Sequence, residues 1–186
     1  MEPQQLEQLA NAFCKLFVSN ERSIGRFHPS TGKMDTLYEP LKPSDFIAHF
    51  QGKVGVGAVP ITDANTCYWG AIDIDNHGEE EDTSIAPIDK VVTEQHLPLV
   101  VCRSKSGGVH AYVFFEDPQP ASKVHGMLTE WAAVIGYPGA EIFPKQTALR
   151  TNPATGNRHL GNWLNLPYFI TDKTNRYAFR SGEVLS

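Results

Sequence analysis

YWGAIDIDN, residues 68–76, decides how this chain is read. Tyr68–Ile74 is rich in β-branched and aromatic residues and reads as a strand. Asp73 and Asp75 are two apart, so on a strand their side chains leave the same face, with Ala71 beside them. Ile72 and Ile74 turn to the other face and enter a core. Two carboxylates this close repel each other unless a cation sits between them, and Mg²⁺ or Mn²⁺ suits such hard oxygen donors. A strand end with two solvated acids fits the same letters, so the motif by itself leaves both readings open.

Working outward, Val54–Pro60 (VGVGAVP) is a second strand pattern just upstream. Downstream, the acidic HGEEEDTS reads as a loop, with His77 directly after the DIDN motif, and Ile85–Gln95 reads as a helix. Leu97–Arg103 and Val109–Glu116 read as two strands joined by SKSGG, which has the turn residues of a hairpin. Ala121–Ile135 is a helix with Trp131 and Ile135 turned inward, and Glu141–Pro144 and Trp163–Phe169 are short strands. Near the N-terminus, residues 4–18 carry Leu6, Leu9, Phe13, Leu16 and Phe17 at helical spacing, which predicts an amphipathic helix. Arg22–Pro43, punctuated by Gly25, Pro29, Gly32, Pro40 and Pro43, reads as a loop or short hairpin. Ser44 is the expected cap of a short helix, DFIAHF. The fold class is α+β, an antiparallel sheet with helices packed on one face. The expected organisation is one domain, with an N-terminal helical segment, residues 1–50, packed on a core of residues 51–186. The last residues, YAFRSGEVLS, show no obvious stop, so the chain reads as a piece of a longer protein.

Composition sets the outer bounds. With 186 residues, 41% hydrophobic and 20% charged, the chain suits a globular domain with a sizeable core. No apolar run approaches the roughly 20 residues that cross a bilayer, and MEPQQLEQLANAF lacks the basic-then-apolar order of a secretory signal. The three cysteines form no CxxC pair, which argues against a zinc site or disulfide framework and for a reducing cytoplasm. The net charge of −5 argues against a nucleic-acid coat protein, but leaves room for an enzyme whose metal-holding acids lower the total.

Three more stretches carry chemistry. In RSKSGGVHAYVFF, the Lys105–Gly108 turn can present backbone N–H groups to an anion, with Arg103 or Lys105 adding charge and Ser106 a hydroxyl. His110 starts the next strand, and if that strand lies beside AIDID it faces the same site and can donate to a phosphate. In GAEIFPKQ, Glu141 is a candidate third carboxylate, followed by Lys145 and Gln146. In LGNWLNLPYF, Asn162 and Asn165 can hydrogen-bond a sugar or base, and Trp163 and Tyr168 can stack on one. Each stretch also has an ordinary structural reading: a hairpin turn, a surface acid, a turn into a core strand. His28, His49, His96, His125 and His159 have no metal-ligand spacing. Arg150, Arg158, Arg176 and Arg180 cluster late in the chain, where they suit a nucleic-acid backbone or an ordinary surface equally.

The order of these motifs resembles the archaeo-eukaryotic primase superfamily: a DxD strand, a basic Ser/Gly turn leading to a histidine on a strand, then an acid before a short apolar strand. Within it the likeness is closer to one branch, the primase-polymerases of phages and mobile elements and the related primases of prokaryotic conflict systems, and runs from about Gly52 to Phe169. The resemblance implies an RRM-like antiparallel sheet and a DNA polymerase or primase, a nucleotidyltransferase acting in DNA replication. It implies Asp73, Asp75 and Glu141 as ligands for Mg²⁺ or Mn²⁺. His110 would contact the incoming nucleotide, with Arg103, Lys105, Ser106, Lys145 and Asn162 as further nucleotide-binding residues. The implied partners are a single-stranded DNA template, a primer, dNTP or NTP, and a helicase as partner or fused domain. Two departures stand out: Gly108 replaces the serine two residues before the histidine, and Glu141 stands where many relatives carry aspartate.

Other function classes fit less well. A metal-dependent nuclease uses similar carboxylates, and the phosphate-binding turn with His110 favours nucleotide binding over it. A rolling-circle replication initiator needs a paired-histidine motif, and the sequence has no His-x-His. A non-catalytic single-stranded DNA-binding module has no need for AIDID and EIF to converge.

Overall fold

A computed structural model describes residues 1–75 and 85–185. In chain order the elements are α1 (Pro3–Leu16), β1 (Ile24–Phe27), β2 (Met34–Leu37), α2 (Pro43–Phe50), β3 (Gly55–Ala58), β4 (Thr66–Ile74) and α3 (Ile85–Glu94). They continue with β5 (Val100–Arg103), β6 (Val109–Pro120), α4 (Ala121–Val134), β7 (Glu141–Phe143), β8 (Leu164–Asn165), β9 (Ala178–Arg180) and β10 (Glu183–Leu185).

Two antiparallel sheets form, one of six strands in the order β10-β9-β5-β6-β4-β7 and one of four in the order β2-β1-β3-β8. Within the larger sheet, β4-α3-β5-β6-α4-β7 is a split β-α-β unit with strand order β5-β6-β4-β7, the expected RRM-like core. Alternation along β4 divides its residues as the sequence predicts. Ile72 and Ile74 join Val101, Val109, Ala111, Val113 and Ile142 in a core beneath α3 and α4. Gly70 lies on that same face because α4 passes close. A Cβ there would stand 2.7 Å from Leu128 Cδ1 and Val124 Cγ1 and 2.8 Å from the Phe143 carbonyl.

The opposite face carries Trp69, Ala71, Cys102, Tyr112 and Phe143, packed under α1, α2 and part of the small sheet. Phe13 and Phe17 of the first helical stretch bridge the layers. Phe13 meets Phe46 and Phe50 of α2, and Phe17 meets Trp69, Tyr112 and Phe114. Trp69 donates its indole N–H to the Val18 carbonyl at 3.0 Å, and Phe17, 2% exposed, contributes about 1.5–3 kcal/mol by burial. Leu16, expected on this apolar face, is instead exposed, because it is turned about 100° around the helix from buried Phe17, to the edge of the stripe.

The expected N-terminal helical segment, residues 1–50, contains α1 and α2 and also the β1–β2 hairpin, whose β1 pairs with β3. Ser44 lies inside α2 rather than capping it. The cap is Lys42, whose backbone N–H is bonded by the Asp45 carboxylate at 2.8 Å, and Pro43 takes the first turn where its missing N–H costs nothing. At the other edge of the large sheet, buried Asp89 of α3 accepts from the N–H groups of Ser181 and Gly182, the tight turn between β9 and β10. Among the described residues, no helix is long and apolar enough to cross a membrane.

Candidate active site

The site follows from register. Asp73 on β4 lies directly opposite His110 on β6 and, on its other side, directly opposite Glu141 on β7. Residues directly opposite in antiparallel strands project from the same face. One row therefore runs Glu141, Asp73, His110, Cys102, on the sheet face turned away from α3 and α4. Asp75 continues that row's side just past the end of β4.

The small sheet faces this row across a cleft of about 310 Å³. Asp73, Asp75, His110 and the Ser104–Ser106 turn come from the large sheet, and Met34, Trp163, Leu164 and Asn165 from the small one. Asp73 Oδ1 lies 3.1 Å from His110 Nε2, which donates, since a carboxylate only accepts. His110 Nδ1 lies 3.0 Å from the Tyr112 hydroxyl, which is also 3.2 Å from the Asn165 carbonyl. A hydroxyl has one proton, so Tyr112 serves one of these acceptors at a time. Donation to Nδ1 fixes the neutral His110 tautomer with its proton toward Asp73, whereas donation to Asn165 requires a proton on both ring nitrogens. Burial pushes the Tyr112 phenol well above its ordinary range, so it stays a neutral donor. Burial likewise raises the Cys102 thiol and keeps it an inert neighbour.

The turn between β5 and β6 is closed by Ser104 N–H to the Gly108 carbonyl at 2.9 Å, and the Ser104 and Ser106 hydroxyls lie 3.1 Å apart. Gly107 takes φ +88°, which a side chain would strain. Lys105 reaches back across the cleft and sets its ammonium 3.5 Å over the Phe27 ring. Burial, with the nearby Arg176 charge second, lowers the Lys105 pKa. Arg176 is itself 4% exposed, its pKa is brought down to about 10 chiefly by burial, and its Nη1 has no hydrogen-bond partner among the described residues. Two cations thus stand close together near a cleft whose floor carries two carboxylates. That polarity suits an anionic ligand that arrives with a divalent cation.

The sequence-predicted residues divide as follows. Asp73, Asp75, His110, Lys105 and Ser106 line the cleft together. Glu141 stands beside Asp73 in register but is exposed and turned to Lys145, whose Nζ lies 2.6 Å away. Asn162 is exposed and accepts from the Gln146 side-chain amide outside the cleft. Arg103 pairs with Val109, whose side chain belongs to the core under α3 and α4, so Arg103 starts from the face opposite His110. Of the late arginines, Arg158 is held by the Leu149 and Asp63 carbonyls, Arg176 is buried, and Arg150 and Arg180 are exposed. His77 and the acidic run 79–82 lie outside the described residues. Ser104, Tyr112 and Met34 also line or support the cleft, and no motif in the sequence marks them. For Tyr112 the available signal was its two-residue spacing from His110, which puts both on one face.

Asp73, Asp75 and Glu141 offer hard oxygen donors from one face of adjacent strands, the donor chemistry that Mg²⁺ or Mn²⁺ requires. Among the described residues, no group of three acids, histidines or cysteines is already gathered at metal-binding distance. Glu141, the outermost of the three, is instead paired with Lys145.

Residues 19–180 match the family model described as the archaeo-eukaryotic primase domain of the TOTE conflict system. Among solved structures, the chain is similar to the AEP domain of the primase-polymerase of cyanophage S-2L, at 14% identity and a TM-score of 0.48, over 96% of this chain and 92% of that one. No protein with a curated description matches.

Proposed function

The chain belongs to the archaeo-eukaryotic primase domain family of TOTE conflict systems, a family of the nucleotidyltransferase type, and from that premise we propose that it is a template-directed DNA polymerase or primase. The observation that carries this reading is Asp73 flanked in register by Glu141 and His110, in a cleft that also holds the Lys105 turn. In the proposed reaction a 3′-hydroxyl oxygen bonds to the α-phosphorus of a nucleoside triphosphate and the bond to the β-phosphate bridging oxygen breaks, releasing pyrophosphate. Asp73, Asp75 and Glu141 would hold Mg²⁺ or Mn²⁺, which when bound supplies Lewis-acid stabilisation of the phosphoryl oxygens and a more acidic hydroxyl.

The chain's own residues do the rest. Lys105 and the Ser104–Ser106 turn bind and orient the phosphates, and their fixed dipoles and charge lie where negative charge develops. His110, held between Asp73 and Tyr112, donates its Nε2–H to Asp73 and would turn that donor to a phosphate once Asp73 is engaged by a metal ion. The proposed partners are a single-stranded DNA template with its primer, nucleoside triphosphates and a helicase. The proposed setting is the conflict system that names the family. Compared with a metal-dependent nuclease, this reading is favoured by the cations near the acids, since a nucleotide brings three phosphates to neutralise.

Extension of a labelled primer on a single-stranded template, with dNTPs or NTPs and Mg²⁺ or Mn²⁺, tests the proposal. Template-dependent lengthening by the wild type and none by Asp73→Ala/Asp75→Ala supports it. Shortening of the primer would replace it with a nuclease.

A further inference from the structure

Two glycines stand directly opposite one another in neighbouring strands of the small sheet, Gly25 on β1 and Gly57 on β3. Glycine inside a strand costs backbone entropy and gives no packing in return, so a register-matched pair needs a reason. Neither has a positive φ, so turn geometry is not that reason. Close approach is: a Cβ on either glycine would overlap the six-membered ring of Trp163, and on Gly25 it would sit against three carbons of that ring. The indole therefore fits where neither strand carries a side chain, with Gly25 against its face at Cδ2 and Gly57 against its edge at Cε3. Its N–H donates to Thr36 Oγ1 at 3.3 Å, which fixes the ring's rotation in its own plane.

Held in this way, the indole lines the cleft together with Asp73, Asp75, His110 and Lys105. The polar groups come from the large sheet and Trp163 from the small one, so the two walls differ in chemistry. Beside it, the buried Oδ1 of Asn165 has no donor among the described residues and is an acceptor awaiting an N–H or O–H.

We propose that Trp163, seated against Gly25 and Gly57, is the stacking surface for the base of the bound nucleoside triphosphate. This rests on the nucleotide-binding reading of the cleft and adds the part of the ligand that the phosphate-binding wall does not touch. A ring already held in place costs little side-chain ordering on binding, and stacking on it tolerates any base because every base has a π-face. Purines, with more overlap, bind more tightly than pyrimidines.

The test is calorimetric titration of wild type, Trp163→Phe and Trp163→Leu, in Mn²⁺, with nucleoside triphosphates and with inorganic tripolyphosphate. The leucine variant is expected to lose roughly 5- to 150-fold in nucleoside triphosphate affinity, the usual range for a lost base–aromatic stack. Its tripolyphosphate affinity is expected to stay unchanged, which also reports that the phosphate wall is folded. The phenylalanine variant is expected to keep most of the affinity. It also loses the quenching of tryptophan fluorescence that nucleoside triphosphate, but not tripolyphosphate, causes in wild type. Equal nucleotide affinity in all three proteins, with tripolyphosphate still bound, would overturn the stacking role and leave the nucleotide-binding reading standing. Failure of the wild type to bind either ligand would overturn both.

Discussion

His49 offers a sharp test of how the wall of the cleft is held. It is fully buried on α2, its Nδ1 accepts the Val56 N–H at 2.9 Å, and its Nε2–H donates to the Pro167 carbonyl at 2.8 Å. Val56 lies on β3 and Pro167 just beyond β8, so one imidazole ties two neighbouring strands of the small sheet. A backbone N–H can only donate, so Nδ1 must stay unprotonated, and burial brings the His49 pKa from 6.5 down to about 4. The folded protein therefore binds this proton less readily than the unfolded chain. Stability from this group is fully present above pH ~6.5 and is lost as pH falls through the window to about 4. At about 1.36 kcal/mol per pH unit, the full window is worth about 3 kcal/mol. Replacing His49 with Gln keeps an acceptor and a donor and removes the titration. Urea unfolding of both proteins at pH 7, 6, 5 and 4 reads the difference directly. The wild type is expected to lose about 3 kcal/mol more than His49→Gln between pH 7 and pH 4, whatever the fixed cost of the substitution at pH 7. Parallel pH profiles for the two proteins would refute the argument and mean that His49 takes up its proton equally well in the folded and unfolded chains.

Three further expectations concern the site and its support. Asp73→Asn keeps the side chain's shape and removes its charge; primer extension should fall at least about 100-fold with the circular dichroism spectrum unchanged. Tyr112→Phe leaves the ring packed on Phe17 but frees His110 Nδ1, so incorporation should drop about 10-fold in single-turnover assays while stability falls by about 1 kcal/mol. Gly70→Ala drives a methyl group into Val124, Leu128 and the Phe143 carbonyl, and should lower the unfolding free energy by about 1–3 kcal/mol in urea titrations.

What was legible in the sequence is what local spacing controls. The two-residue period put Asp73 and Asp75 on one face and Ile72 and Ile74 on the other, and the helical period marked Phe13 and Phe17 as buried. The SKSGG turn and the two strands around it followed from turn chemistry, and the motif order was enough to identify the family. The sequence of the β1–β2 hairpin fits loop and strand alike, because strands this short, among glycines and prolines, gain their stability only by pairing with β3.

Cross-strand partnership belongs to the tertiary structure alone. Nothing in GAEIFPKQ states that Glu141 lies opposite Asp73, or that Lys145 holds it aside, because register depends on where β7 docks. Arg103 and His110 looked equivalent around one turn, and the pleat put them on opposite faces. In the sequence Trp163 is one aromatic among many, and only the fold brings Gly25 and Gly57, more than 100 residues upstream, together against its ring. Periodicity along a chain sets which way a side chain points, while the partners it meets there are chosen by non-local packing, which no single stretch of sequence encodes.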